Sequence, residues 1–417
     1  MVTKTEFYQD ARPDSRGPLT GIRVLEATNY GAGPICGMVL SDLGAESIKC
    51  EQPQVGDPIR AWPPYLTGAD GKDFWSGIWA LTFNRGKRAV TLDFRKPEGQ
   101  ELFRRLAAHA DVVIENFTPG TMARWGLGYA DLKAVKPDLI YVSVSGFGQW
   151  GPLKDKRGLD PIGQAMGGVM AGTGEPGGQP LRVGFAIADN MSGWMGAMGA
   201  LAALNFRRRT GRGQWVDSSL IDAMLTSSDV KLMGVAHAGY EVKPTGNGTD
   251  LGAPLDLFRC ADGRWLYIHA LYDHLWKRLA DVMGRPDLKE DPRTRDWAGR
   301  AANIPFVNEC VAAWAATLPL EQAMAALDEA GCTCAPVLSF REILAAAHFR
   351  ERDSVVEMPH PKYGPLTHYG YPVKFSRTPA GPRAVAPAVG QDNAAVYGDL
   401  LGLSEAEQAA LREQGVI

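Results

Sequence analysis

GIRVLEATNYGAGPICGMVLSDLGAESIKCE, residues 21–51, decides the fold of this chain of 417 residues. GIRVLEATNY predicts a short buried strand, PICGMVLSDLGA has the apolar spacing of a helix, and SIKCE predicts the next strand. Pro34 suits the first turn of that helix, where its missing N–H is not needed, and Gly44 suits the helix end. The stretch therefore predicts a β-α-β unit.

The same alternation continues along the chain. AVTLDF, DVVIENF and LIYVSVSGFG predict further strands, and PEGQELFRRLAAHA predicts a helix between the first two of them. Strands that alternate with helices predict a mostly parallel sheet covered on both faces, which is the α/β class. After about residue 225 the pattern changes to a strand over RWLYIHA and Ala-rich amphipathic helices, which we interpret as a second domain.

Composition and charge exclude several classes of protein. Hydrophobic residues make up 45% of the chain and charged residues 22%, as in ordinary folded proteins. The formal net charge of −3 offers no broad positive field, so we expect neither nucleic acid nor an anionic membrane as a partner. The leader lacks the apolar core of a signal peptide, and the apolar stretch 193–204 is too short to span a bilayer. We predict no membrane segment and a cytoplasmic location.

Six cysteines are too few for a disulfide-stapled protein of this size. Cys332 and Cys334 lie close together in sequence but have no neighbouring histidine, so ordinary packing is favoured over zinc binding. The seven histidines are dispersed and suggest no catalytic pair. We expect no metal site.

The turn NYGAGPICG, residues 29–37, places glycines where a phosphate could approach the N-terminus of a helix. A dinucleotide fingerprint requires glycine at its sixth position, which is Cys36 here, although Glu51 lies near the expected acidic spacing. A structural turn, a nicotinamide site and a site for another nucleotide all remain open on this pattern.

Asp189, in RVGFAIADNMSG, precedes a strongly helical segment that ends near Gly211. It could be a helix N-cap, which accepts hydrogen bonds from the first turn. It could also be a carboxylate nucleophile, because a helix N-terminus stabilises the ionised form that must attack. The two interpretations are compatible.

A scattered basic set consists of RGKR, residues 85–88, and Arg124. Each of these residues alone is typical of a solvated surface charge. If they lie at the carboxyl ends of parallel strands, they could instead bind the phosphates of a nucleotide.

Several motifs together carry a resemblance to a known family: GIRVLE with AGP and LGAESIK, NRGKRAVTLD, ENFTPG, SVSGFGQWGP, ADNMSG and TGRGQWVDSSLIDAM. In order and spacing they resemble the class III CoA-transferases, which include formyl-CoA transferase and the carnitine and bile-acid CoA-transferases. The resemblance runs from about Gly21 through APVLSFRE and is weaker in the second domain and the tail.

The resemblance implies a Rossmann-like, CoA-binding large domain built from both chain ends, with a smaller inserted α+β domain. We expect the large domain over residues 1–225, the small domain with its linkers over 226–335, and a return to the large domain and the C-terminal tail over 336–417. It also implies an interlocked homodimer, acyl-CoA and a carboxylic acid as substrates, and no tightly bound cofactor.

The resemblance assigns residue roles as well. Asp189 occupies the position of the nucleophile, which would form an aspartyl anhydride and then an aspartyl-CoA thioester. Gly246 and Gly248 fall near the mobile glycine loop that covers the active site in this family. The residues expected to line the CoA site are Asn29, Tyr30, Gly31, Ala32, Leu92, Asn116, Phe117, Arg124 and Phe147.

Three positions depart from the family's patterns. Gln52 and Ser145 stand where formyl-CoA transferase has basic residues, so formyl specificity does not carry over. The related 2-methylacyl-CoA racemases have a catalytic histidine where this chain has Leu159, which disfavours that chemistry. A racemase, a nicotinamide oxidoreductase and a non-catalytic acyl-CoA-binding protein remain as alternatives, and the sequence identifies neither the donor nor the acceptor of CoA.

Overall fold

The structure is a computed structural model and describes residues 2–12, 14–66, 73 and 75–417. A six-stranded, fully parallel sheet occurs in it with the order β3-β2-β1-β4-β5-β6. Its strands are β1 Arg23–Ala27, β2 Glu46–Glu51, β3 Arg88–Thr91, β4 Val112–Glu115, β5 Ile140–Ser145 and β6 Trp215–Ser219. This is the strand order of doubly wound nucleotide-binding folds, whose ligands bind beyond the carboxyl ends of the strands.

Residues 1–169, 182–230 and 347–417 form the compact unit that contains this sheet. It also contains an antiparallel hairpin of β10 Val355–His360 and β11 Gly364–Tyr369. Its helices are α1 Lys4–Phe7, α2 Ala32–Asp42, α3 Ile78–Phe83, α4 Pro97–Ala108, α5 Thr121–Arg124, α6 Tyr129–Val135, α7 Asp160–Met166, α8 Ile187–Thr210, α9 Leu220–Thr226, α16 Ala347–Glu351, α17 Asn393–Ala395 and α18 Glu405–Glu413. Short 3-10 and π turns cover Pro58–Ala61 and Val396–Leu400.

Alternating strand residues divide the core into two layers, because successive side chains of a strand point to opposite faces. Val24 of β1 packs in the cluster that contains α2 and α8 residues, whereas its neighbour Leu25 packs in the cluster that contains α4 residues. Small residues let α2 and α8 lie close together: a Cβ on Gly193 would be 2.7 Å from the Ala32 carbonyl oxygen. The sheet and these helices fix the loops at the carboxyl edge.

Residues 170–181 and 231–346 form a second compact unit. Its antiparallel sheet has the order β7-β8-β9, with β7 Leu255–Arg259, β8 Trp265–His269 and β9 Thr333–Pro336. Its helices are α10 Lys231–Ala238, α11 Asp273–Val282, α12 Trp297–Ala302, α13 Ile304–Ala315, α14 Leu320–Glu329 and α15 Phe340–Ala345, with 3-10 turns at Met170–Gly172 and Pro286–Lys289. The buried Trp276 lies in its hydrophobic core.

The predicted α/β class with a mostly parallel sheet is confirmed. The prediction missed β6, because WVDSS is short and polar, and it began α8 after Asp189 instead of at Ile187. The division at residues 225 and 335 stays a prediction, because compact units alone do not define domains that fold independently. In the described part of the chain no single helix has the length and apolarity to cross a bilayer, although α13 and α14, bent by 114°, meet the criteria as a pair.

Candidate active site

Asp189 is not at the N-cap of α8, where the N-cap interpretation of the sequence would place it. The N-cap residue is Ala186, and Asp189 is the third residue of the helix. The N-cap interpretation is therefore wrong. The Asp189 side chain is consequently not needed to satisfy the first turn of its own helix.

A different carboxylate caps α8. Asp160, the first residue of α7, accepts hydrogen bonds through Oδ2 from the N–H of Ala188 at 2.8 Å and of Asp189 at 3.3 Å. Its Oδ1 accepts from Nε2 of the fully buried Gln164, which also donates to the carbonyl oxygen of Phe185. Gln164 and Asp160 thus hold the segment before α8 and its first turn from one side.

The carboxylate of Asp189 is half-buried and, among the described residues, receives no hydrogen bond. Burial raises its pKa from 3.8 to about 7, and the negative charge of Asp160 adds to the rise. These two effects oppose the stabilisation of the ionised form that the helix N-terminus is expected to supply. A half-buried carboxylate that receives no hydrogen bond and has a pKa near neutral pH is a strong candidate for a catalytic group.

Gly31, the residue before α2, lies directly against this carboxylate. A Cβ built on Gly31 would be 2.4 Å from Asp189 Oδ2 and 3.0 Å from its Cγ. The φ angle of Gly31 is −105°, so the position requires glycine for space and not for backbone conformation. The turn after β1 therefore forms one wall of the Asp189 site.

Asn116, which follows the end of β4, holds this turn. The side-chain amide of Asn116, just beyond β4, accepts from the N–H of Asn29 and donates to its carbonyl oxygen, both at 2.8 Å. Tyr30 has a positive φ of 63°, and its exposed ring lies 5.6 Å from that of Trp62. The structure thus brings together Asn29, Tyr30, Gly31, Asn116 and Asp189.

Two glycines of NYGAGPICG are explained by packing. A Cβ on Gly33 would be 2.7 Å from Asn116 Cγ, and one on Gly37 would be 2.0 Å from Glu26 Oε1. Both positions therefore require glycine, because neighbouring side chains leave no room for a Cβ. Of the three interpretations of this pattern, the structural turn has direct support.

A pocket of about 160 Å³ opens beyond the carboxyl ends of β1 to β4. It brings together three residues of the expected CoA site and Gln52, one of the departures from the family pattern. Its remaining lining includes aromatic rings and the cation of Arg95. The lining residues are Asn29, Cys50, Gln52, Pro58, Leu92, Asp93, Phe94, Arg95, Phe117 and Trp125.

The remaining expected CoA residues do not line this pocket. Ala32 is buried in the first turn of α2, and Phe147 is buried after β5. Arg124 is exposed on α5, where its guanidinium donates to Thr121 Oγ1 at 2.8 Å. Ser145 accepts the N–H of Gly148 through Oγ, so it stabilises a turn.

The glycine loop lies in the second compact unit. The N–H of Gly246 donates to the carbonyl oxygen of Gly174, and the N–H of Gly248 donates to that of Thr245. Gly246 has a φ of 64°, which an L side chain rarely adopts. These contacts define a tight turn over residues 245–248.

The basic residues of the run RGKR all form ion pairs, and Arg88, the first residue of β3, pairs with Glu46 at 2.8 Å. Arg85 forms a buried ion pair with Asp42 at 2.7 Å, and Lys87 forms one with Glu26 at 2.8 Å. Both the surface-charge and the phosphate-binding interpretations of these two residues are wrong. Of the basic set, Arg124 alone follows the end of a strand, β4.

Sequence reasoning missed Asp160, Gln164 and Arg95. Asp160 and Gln164 carry a signal at i, i+4 on one helix, but their contacts to residues 183–189 depend on tertiary packing. Arg95 directly follows the strand AVTLDF at the ligand-binding edge, which could have singled it out.

Two further observations limit what the site holds. Within residues 2–12, 14–66, 73 and 75–417, three or more metal-binding side chains of His, Cys, Asp or Glu are nowhere grouped. A larger concavity of about 1050 Å³ lies at the opposite edge of the sheet, at the starts of β1, β2 and β3. The candidate nucleophile Asp189 lies against the turn after β1, at the carboxyl edge, and is not among the residues that line this larger concavity.

Comparisons with known proteins show the family to which this chain belongs. A succinyl-CoA–D-citramalate CoA-transferase from Chloroflexus aurantiacus is 39% identical over 402 residues, covering 96% of this chain and 98% of that protein. A formyl-CoA:oxalate CoA-transferase from Streptomyces avermitilis is 34% identical, covering 96% and 99%. The crystal structure of a CAIB/BAIF family protein from Brucella suis matches with a TM-score of 0.83 at 33% identity, covering 92% of this chain and all of that one. Because the sequence model of CoA-transferase family III also matches residues 19–393, this chain belongs to CoA-transferase family III.

Proposed function

We propose that this CoA-transferase uses Asp189 as a covalent nucleophile. The observation that carries the proposal is the Asp189 carboxylate itself, which is half-buried at the carboxyl edge of the sheet and free of described hydrogen-bond donors. A second carboxylate, Asp160, performs the capping that would otherwise occupy it. An uncapped carboxylate is able to attack a thioester carbonyl.

The proposed reaction has four steps. An Asp189 oxygen bonds to the acyl carbon of the donor thioester, the carbon–sulfur bond breaks, and CoA leaves as a thiolate with a mixed anhydride on the enzyme. The thiolate then attacks the aspartyl carbonyl, which releases the donor carboxylate and leaves an aspartyl-CoA thioester. The acceptor carboxylate displaces the thiolate to form a new anhydride, and the thiolate attacks the acceptor's acyl carbon to regenerate Asp189.

The substrates proposed are succinyl-CoA as donor and a small dicarboxylic acid as acceptor. The name of the relative with 39% identity, a succinyl-CoA–D-citramalate CoA-transferase, supports this class of substrate. The CoA nucleotide would bind at the 160 Å³ pocket, where Phe117 and Trp125 offer aromatic surface. A phosphate there would compete with Asp93, which pairs with the guanidinium of Arg95 at 2.8 Å. A substrate-loop role for Gly246 and Gly248 stays a proposal, which the family resemblance alone supports.

We also propose an interlocked homodimer in a reducing, cytoplasmic compartment. Leu159, the N-cap of α7, and Ile162 and Met166 within that helix lie at helical spacing and are all exposed, an arrangement that supports burial against a second copy. All six cysteines are free thiols, which supports a reducing environment. The racemase alternative lacks support, because Leu159 cannot carry a proton.

Chemical trapping tests the nucleophile. After incubation with succinyl-CoA, hydroxylamine is expected to convert an acylated Asp189 to a hydroxamate that mass spectrometry locates on the peptide containing residue 189. The peptide containing Asp160 in the same digest is the internal control and should stay unmodified. A protein that binds succinyl-CoA but carries no label on Asp189 would be a non-catalytic binder or would use another mechanism.

The pKa of Asp189 predicts the pH dependence of transfer. The ionised form must attack, so kcat/KM should be constant well above pH 7 and fall as the pH drops through about 7. At pH 6 we expect kcat/KM about tenfold below its plateau. A profile measured from pH 5 to 9 with succinyl-CoA checks this, and a flat profile across this range would contradict it.

Replacing Asp160 with asparagine should move that acidic limb to lower pH. The asparagine oxygen can still accept from the N–H groups of residues 188 and 189, although its amide nitrogen cannot accept from Gln164. The negative charge that opposes ionisation of Asp189 is removed. The same pH profile, measured on a variant with a normal melting temperature, gives the answer. An acidic limb that does not move would show that Asp160 only caps the helix.

A further inference from the structure

Tyr30 adopts a conformation that its neighbours must impose. Its φ of 63° lies in the left-handed region, which a residue with a Cβ rarely adopts because the Cβ crowds the backbone there. Its N–H donates to Asp57 Oδ1 at 3.0 Å. A bulky residue in this region persists where surrounding contacts over-determine it, and this hydrogen bond is one such contact.

Asp57 is fully buried and serves more than the turn. Its Oδ1 also accepts the N–H of Ile59, and its Oδ2 lies 2.9 Å from Nζ of the buried Lys49. This Oδ2 contact is a short ion pair between two buried, opposite charges. Asp57 is therefore held by the charge of Lys49 and by the N–H of Ile59, in the 3-10 turn that Asp57 caps.

Lys49 contacts the same turn two residues earlier, at Thr28. Its Nζ donates to the carbonyl oxygen of Thr28 at 2.8 Å and to Thr28 Oγ1 at 3.1 Å. Lys49 thus contacts residue 28 while Asp57 contacts residue 30. The ion pair between Lys49 and Asp57 therefore holds the backbone of residues 28–30 at both ends.

Gly31, the residue after Tyr30, links this ion pair to the proposed nucleophile, Asp189. Gly31 approaches Asp189 so closely that a Cβ would overlap Oδ2, at 2.4 Å. A displacement of the turn by about 1 Å would therefore either press on the carboxylate or open a gap beside it. Misplacement of a reacting group on this scale is able to lower a rate about 100-fold.

We propose that Asp57, held by Lys49, is a positioning residue for CoA transfer: it fixes the Tyr30–Gly31 turn against the carboxylate of Asp189. Neither residue of the pair touches the reacting atoms in this arrangement, so their effect is exerted through the turn. The inference rests on the proposed role of Asp189 as nucleophile and adds residues that the chemistry alone would not single out.

A double-mutant cycle tests the inference. Asp57→Asn removes the charge that faces Lys49, and Tyr30→Gly removes the need for a forced positive φ, because glycine adopts it freely. We expect Asp57→Asn to lower kcat about 10- to 100-fold when residue 30 is tyrosine and clearly less when it is glycine. Equal losses in both backgrounds would overturn the inference, since a general loss of structure would act on both alike.

Asp42→Asn is the matched control, because Asp42 forms an equally buried ion pair with Arg85 that does not contact the turn. It should lower the melting temperature but leave kcat per folded molecule unchanged. If Asp57→Asn does not fold, Asp57→Glu keeps a negative charge for Lys49 while displacing the acceptor oxygen, and it should lower kcat with the same dependence on residue 30. Full activity of that variant would overturn the inference.

Failure of this inference is distinguishable from failure of the proposed function. Inactivity of Asp189→Asn together with unchanged kcat in Asp57→Asn and Asp57→Glu would contradict the positioning role alone. Continued transfer by Asp189→Asn would remove the nucleophile, and with it the premise of the inference.

Discussion

Replacing Asp189 with asparagine is expected to lower CoA transfer by at least about 10⁴-fold, because an amide cannot form the anhydride and removal of a nucleophile loses the whole covalent route. The variant should retain the side chain's shape against Gly31. Steady-state transfer from succinyl-CoA and hydroxylamine trapping measure the loss. Transfer within tenfold of the unchanged enzyme would exclude Asp189 as the nucleophile.

The same substitution is expected to stabilise the folded protein at alkaline pH. Folding raises the pKa of Asp189 from 3.8 to about 7, so ionisation opposes folding as the pH rises through this window, and the full penalty applies above pH 7. The shift alone corresponds to about 4 kcal/mol, which partial contact with water reduces to about 1–2 kcal/mol. Urea unfolding should show this gain at pH 8 and its disappearance towards pH 4.

Asp217→Asn separates the two effects of the Asp189 substitution. Burial also raises the pKa of Asp217, whose Oδ2 accepts the N–H of Gln149, an interaction that asparagine can keep. This control should gain stability at high pH and transfer CoA normally. A gain in stability for Asp217→Asn without one for Asp189→Asn would contradict the raised pKa of Asp189.

Local sequence patterns predicted the sheet but not the contacts that prepare the nucleophile. The strands around Leu25 and Val113 were recognisable because apolar runs between turn signals report burial directly. Helix caps differ in how local they are. Ser404 and Glu407 form a capping box within four residues, whereas Asp160 caps a helix 28 residues away in sequence. Local rules therefore assigned to Asp189 a cap that tertiary packing gives to Asp160.

Charges were the least predictable part of the site. Arg85 and Lys87 have the sequence context of ligand-binding residues, yet each is buried beside an acidic partner more than 40 residues away. Lys49 and Asp57 were not singled out because their pairing depends on the loop after β2, whose path no periodicity reveals. Buried ion pairs require the partner's position, and position is what a one-dimensional pattern lacks.

Replacing Gly31 with alanine should reduce kcat about 100-fold while leaving the fold intact. The three atoms nearest the added Cβ all belong to the Asp189 side chain, at 2.4, 3.0 and 3.3 Å, and none to the backbone. The clash is therefore relieved by rotating the carboxylate away from its position, which disturbs the attack and not the packing. Because Gly31 is the N-cap of α2 with a negative φ, the free energy of unfolding should fall by only about 0.5–1 kcal/mol.

Gly184→Ala is the matched control for this prediction. Gly184 precedes α8 in the same segment, has open space within 4 Å of the point where a Cβ would lie and needs no positive φ, so alanine there should leave transfer unchanged. A Gly31→Ala enzyme with normal kcat would mean that Asp189 reacts from a different rotamer. A Gly31→Ala enzyme that loses only affinity for CoA would place this turn in binding alone. The expected result, a fall in kcat and in the rate of trapping at Asp189 with a normal melting temperature, follows only if the glycine keeps the carboxylate in its reactive position.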